Sequence, residues 1–279
     1  MLRKLLKYEF MSTARVFGLC YIGVLAAALL MRIFGDIAYT QNLQNGTSFF
    51  NATEILTMVS TSFYFLMIAA VCVLTFVLIL QRFWKNLIGS EGYLMHTLPV
   101  HAWQQIASKL IAAVVWTLLS GVVIVLSVMV LAMTGEAFVA ILQEFGELLA
   151  AFQREYGLSL IVILLELVLL GVAMVAASVL QIYAAIMIGH QANKHRILLS
   201  VVVYFGIDMV FNVAFLMLIS SVGLFPAPLL EQFSAFLAGL GVVEASQLMI
   251  WCGIGMHLVL CAVFFLICEF MMRRRLNLE

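Results

Sequence analysis

Charge is scarce in this chain. Lysine and arginine number 14 and aspartate and glutamate 14, so charged residues make up 10% of 279 while hydrophobic ones make up 65%. No soluble domain can bury that much apolar surface, and the composition is that of an integral membrane protein. The two signs cancel to a formal net charge of zero, which offers nothing to nucleic acid, and none is expected as a partner. The apolar runs also lack the polar–apolar alternation of membrane barrel strands. The spans are therefore expected to be helical, because lipid leaves each backbone group to be satisfied within its own segment.

Several kinds of chemistry are missing too. There is no GxxxxGK[ST] loop to cradle a nucleotide and no HExxH helix to hold zinc. The five cysteines, Cys20, Cys72, Cys252, Cys261 and Cys268, all fall in apolar runs without CxxC spacing, and buried thiols are expected. His96 and His101 are five apart, as are His190 and His195. On one helix each pair would diverge by about 140°, so neither pair builds a helical metal site. The expectation is a chain with no catalytic residues, no metal site and no cofactor of its own: not an enzyme.

What the chain does have is six long apolar runs. A basic amphipathic stretch, 1–15, comes first. Leu2, Leu5, Leu6 and Phe10 share one face, with Arg3, Lys4 and Lys7 towards the other, as in a helix lying in the membrane interface against anionic lipid. Spans are predicted over 16–34, 54–80, 106–133, 158–188, 197–222 and 247–272. No convincing cleavage pattern follows the first run, so it is expected to stay as an anchor. Between spans three and four, 136–154 has apolar residues at threes and fours (Phe138, Ile141, Leu142, Phe145, Leu148, Leu149, Phe152). This predicts a helix on the outer surface, or a re-entrant hairpin. The apolar middle of 223–246 is too short to cross and reads as a surface or re-entrant helix. The whole, 1–279, is expected to be one transmembrane domain.

Orientation follows from positive charge. With the amino terminus inside, twelve of the fourteen lysines and arginines lie in cytoplasmic segments, and only Arg32 and Arg154 lie outside. Both termini are thus expected in the cytoplasm. Two carboxylates fall inside spans at similar depth, Glu166 in span four and Asp208 in span five, with Asn212 one turn beyond Asp208 on the same face. Intramembrane acids are costly. They either line a substrate path or bond across helices there, or they are protonated structural carboxyls held by a neighbouring hydroxyl or amide.

The longest polar interruption runs from Gln81 to Lys109, QRFWKNLIGSEGYLMHTLPVHAWQQIASK. Arg82, Lys85 and Lys109 are cationic, and Phe83, Trp84 and Leu87 recur at helical spacing. Gly89 and Gly92 break a short helix and Pro99 precedes a new one. One reading is a short amphipathic helix, within 81–105, that receives work from a cytoplasmic partner. The other is an ordinary loop whose aromatics rest among lipid headgroups.

The order of these parts, with LRKLLKYEF at the start, six spans, and GSEGYLMHTLPV followed by ASKL between spans two and three, resembles the permease subunits of bacterial ABC exporters. It resembles in particular small Gram-positive permeases whose second loop reads close to EGYL-x-HTLPV. His101 departs from the pattern, where a serine would follow the LPV. The resemblance implies an all-α membrane protein with an elbow helix at the amino terminus and a coupling helix in the second loop. It also implies outer re-entrant helices between spans five and six. The partner would be a separate ABC ATP-binding subunit carrying ATP and Mg, and two permeases, as copies or paralogues, would complete the unit. Contact with that ATPase would fall to Arg82, Trp84, Lys85, Glu91, Tyr93 and His96. The chain would lie in a bacterial cell membrane among its lipids and move a peptide, an antibiotic or a lipid-like substrate outward. The rival class is a membrane scaffold that recruits a cytoplasmic partner without transport.

Overall fold

A computed structural model of the protein describes residues 2–45, 52–87, 100–132, 135–156, 160–192, 195–221 and 239–274, together with residues 228, 231, 232 and 235. Seven long helices make up almost all of it: α1 (Leu2–Asn45), α2 (Ala52–Leu87), α3 (Ala102–Ala132), α4 (Gly135–Tyr156), α5 (Leu160–Gly189), α6 (Arg196–Ser221) and α7 (Val242–Arg274). There is no strand among the described residues. Six of the helices, all but α4, are long and apolar enough to cross a membrane. This is a multi-pass membrane protein, and the six predicted spans fall on these six helices. The chain divides into two compact units, one of residues 1–82 and 111–151, the other of residues 83–110 and 152–279.

The amino-terminal stretch is not a separate interfacial helix as expected. It is the opening of α1, which continues without a break through the first span. Leu2 to Phe17 contains neither glycine nor proline. Ser12 and Thr13 return their hydroxyls to the carbonyl of Glu9 at 3.0 and 2.8 Å, a back-bonding that bends helices more often than it ends them. Nothing in the sequence turns the helix into the membrane plane.

The first unit has a core of Phe17, Tyr21, Val24, Ala27 and Ala28 from α1, Tyr64 and Val71 from α2, and Val123 from α3. Trp116 stacks on Phe17 at 4.4 Å. Hydroxyls tie the three helices together. Tyr21 meets Ser120 at 2.8 Å, Ser120 meets Thr75 at 3.1 Å, and Tyr64 meets Ser127 at 2.9 Å. Between helices in lipid there is little hydrophobic gain, and close packing with such polar links does the holding.

In the second unit α5 packs against both α6 and α7. Small residues let α5 and α7 approach. The Sγ of Cys261 on α7 reaches the carbonyl of Ala173 at 3.8 Å, and a Cβ added at Gly253 would lie 3.2 Å from Leu170. The contact of α5 with α6 is tighter still. A Cβ at Gly189 would come within 2.5 Å of the backbone N and 2.6 Å of the Cα of Ser200, so only glycine fits there. The chain then turns through His195, whose φ of 58° is left-handed, and α6 begins with the Leu199 N–H bonding the His195 carbonyl at 3.0 Å. At the other end of the unit α7 starts earlier than the predicted 247. Glu244 in its first turn accepts from the Gly241 N–H at 3.0 Å, which caps the helix there.

A helix is present over the expected 136–154, as α4. The expected re-entrant segment over 223–246 lies mostly outside the described residues, and its last residues belong to α7. The thiols depart from expectation. Cys268 is buried, but Cys72 and Cys252 are exposed on helices long and apolar enough to span, and Cys20 and Cys261 are half-buried.

Candidate functional site

The end of α2 carries the residues singled out from the sequence. Gln81 to Leu87 is not a separate short helix, because α2 runs straight through it. No glycine lies between Ala52 and Gly89, and Lys85 in the last turn suits the negative end of the helix dipole. In the second unit Phe83 and Leu87, four apart, are completely buried. Phe83 stacks on Tyr183 of α5, with centroids 3.8 Å apart and planes within 9°. The helical spacing was visible in the sequence, but its destination was not: Phe83 goes into protein, not into headgroups.

Trp84 and Lys85 occupy the other side of the same turn. Trp84 is 40% exposed and meets His190 edge-on at 5.6 Å, and Lys85 is exposed. Further along, Lys109 of α3 is buried. Glu91, Tyr93 and His96 lie outside the described residues. Arg82 belongs to the first unit, where its Nη1 lies 3.6 Å from Oε2 of Glu9 on α1.

The histidines need a correction. His190 and His195 would diverge on a single helix, but α5 ends at Gly189 and the chain turns before α6. Both imidazoles therefore line one cavity of about 740 Å³, together with Trp84 and Arg196. His190 is buried, and its Nδ1 bonds the Ile186 carbonyl at 2.9 Å. A carbonyl can only accept, so Nδ1 carries the proton and Nε2 is the nitrogen left over. Among the described residues no group of three or more His, Cys, Asp or Glu side chains could hold a metal ion.

The intramembrane carboxylates are not brought together. Glu166 on α5 is buried, and its Oε1 accepts from Nε1 of Trp251 on α7 at 3.1 Å. Its Oε2 is buried with no hydrogen-bond partner. Asp208 is exposed on α6 and bonds within its own helix, where Nδ2 of Asn212 donates to its backbone carbonyl at 2.8 Å and its Oδ2 at 3.1 Å. The one-turn spacing of Asp208 and Asn212 was legible; the Glu166–Trp251 pair was not, since 85 residues separate them. The sequence reading also passed over Tyr183, an ordinary apolar-run tyrosine with no local signal to mark it.

A scan against protein-family models finds no match for this chain, and searches of curated proteins and of solved structures find none either.

Proposed function

We propose that this chain is the transmembrane permease subunit of an ATP-driven ABC exporter. A separate ATP-binding subunit holds ATP and Mg. Its closure is delivered to the loop that follows α2, and the spans rearrange by alternating access to move a peptide, an antibiotic or a lipid-like molecule outward. Two permeases and two ATP-binding subunits make the working unit, with the permease termini in the cytoplasm of a bacterial cell.

The EGYL-x-HTLPV resemblance in that loop points to the family. The observation that carries the mechanical part is the end of α2. One side of its last two turns is buried through Phe83 and Leu87, and the other presents Trp84 and Lys85 outward. A helix end held on one side and open on the other gives a motor a stiff handle, because a push on Trp84 passes through the Phe83–Tyr183 stack into α5.

The test is to co-purify the chain with a Walker-type ATPase encoded beside it and to change Trp84 and Glu91 to alanine. Coupled ATP hydrolysis is expected to fall while the permease still inserts. Unchanged hydrolysis in the altered complex would count against the coupling role, and failure to find or bind any such ATPase favours the scaffold class.

A further inference from the structure

The cavity between the ends of α2, α5 and α6 has two kinds of wall. One is basic and aromatic, with Arg196, His190, His195 and Trp84. The other is apolar: Ile197, Leu198 and Val201 recur on one face of α6, each at least half exposed. No acidic residue lines it among those described. Its volume of about 740 Å³ falls in the range of roughly 300–1,000 Å³ usual for small-molecule sites.

We propose that this cavity is a binding site for one anionic phospholipid of the surrounding bilayer. The phosphate sits against the Arg196 guanidinium and the His195 imidazole, and the start of an acyl chain runs along Ile197, Leu198 and Val201. The order of the walls fits that occupant and no soluble anion. Arg196 opens α6, a membrane-crossing helix. Val201 lies about 8 Å further along its axis, so an occupant held at Arg196 meets the apolar face about one and a half turns deeper. A basic pocket at the end of crossing helices, opening onto an apolar face, is how anionic headgroups are held. The amide N–H groups at the start of α6 add to the attraction for a phosphate. Trp84 flanks the open pocket edge-on to His190 and suits the interface, with an apolar ring and a polar N–H. This inference rests on the crossing helices alone and is independent of the transport reading.

Native mass spectrometry of the full chain, titrated with phosphatidylglycerol and phosphatidylcholine of matched chains, tests it. One phosphatidylglycerol is expected to bind about fivefold or more tighter than phosphatidylcholine, the effect of one cation near a membrane surface. Arg196→Gln should remove most of that preference. His195→Gly is the variant least able to disturb the fold, since glycine accepts the left-handed φ without strain; it too should lower the preference. Arg154→Gln, on α4, should leave it unchanged. Excess inorganic phosphate should fail to displace the lipid. Equal affinity for the two lipids, a preference untouched by both pocket variants or equally lowered by Arg154→Gln, or displacement by phosphate alone would each overturn the proposal.

Discussion

The indole Nε1 of Trp251 donates to Oε1 of Glu166 at 3.1 Å, joining α7 to α5 within the membrane-crossing part of the second unit. The other carboxylate oxygen, Oε2, is buried and has no hydrogen-bond partner. The bond uses only one of the carboxyl's two oxygens, and an amide offers the same acceptor. Glu166→Gln should therefore keep the link, whereas Trp251→Phe strands both oxygens in a buried site. Trp251→Phe is expected to cost about 1–3 kcal/mol and Glu166→Gln less than half of that. Thermal unfolding of the purified chain in detergent checks the order, and a double-mutant cycle built on Glu166→Ala and Trp251→Phe, each of which removes the bond, should return a coupling of about 1 kcal/mol.

The same geometry separates structure from transport. Glu166→Gln and Asp208→Asn each preserve an oxygen acceptor, for Trp251 in the first case and for Asn212 in the second. If the chain is the permease proposed above, both variants are expected to assemble and to transport at close to the parent rate. Loss of transport by either, with assembly intact, would show that the carboxyl itself serves the substrate path.

The Arg82–Glu9 pair predicts a charge-swap result. With the groups 3.6 Å apart and partly shielded from solvent, Arg82→Ala should lower stability by about 1 kcal/mol or less. The double change Glu9→Arg, Arg82→Glu should recover part of that loss. If Arg82 also touches an ATPase, the swap restores stability but not coupled hydrolysis, so measuring the two together divides the roles.

Phe83 and Trp84 are neighbours with opposite expected effects. Phe83→Ala empties a fully buried ring position stacked on Tyr183, and about 3 kcal/mol or more should be lost. Trp84→Ala removes a half-exposed ring with one edge contact, and a loss of about 1 kcal/mol is expected. Comparable melting temperatures for the two variants would contradict the buried stack.

Gly189 tests the approach of α6 to α5. A methyl there meets Ser200 backbone atoms at 2.5 and 2.6 Å, and backbone cannot swing aside as a side chain can. Gly189→Ala should cost about 1–3 kcal/mol, and Ser200→Gly should fail to rescue it. Wild-type melting of Gly189→Ala would overturn the contact.

Much of this architecture was legible in residue order. Six apolar runs gave six crossing helices because length and hydropathy dictate that result without reference to tertiary contacts. Helix ends were harder. The basic start of α1 has the pattern of an interfacial helix, yet Ser12 and Thr13 bond back into their own helix and no breaker intervenes, so continuation wins. His190 and His195 were placed apart by a helical spacing that holds only if the helix persists beyond Gly189, and it does not. The pairs that matter most, Phe83 with Tyr183 and Glu166 with Trp251, join distant parts of the chain, and periodicity carries no information about such partners. In the loop after α2, Glu91, Tyr93 and His96 lie beyond what the structure describes, so the resemblance alone speaks for them.

The unbroken course of α1 has a dynamic meaning. A rod of 44 residues is about 66 Å long, roughly twice the thickness of the hydrocarbon it crosses. Were it to rock about the Phe17–Trp116 stack, it would act as a see-saw with unequal arms. Each degree of tilt would carry the far end at Asn45 through about 0.7 Å and swing the amino end the opposite way. A small rocking of the shorter, amino-terminal arm would then arrive enlarged and reversed at the other end.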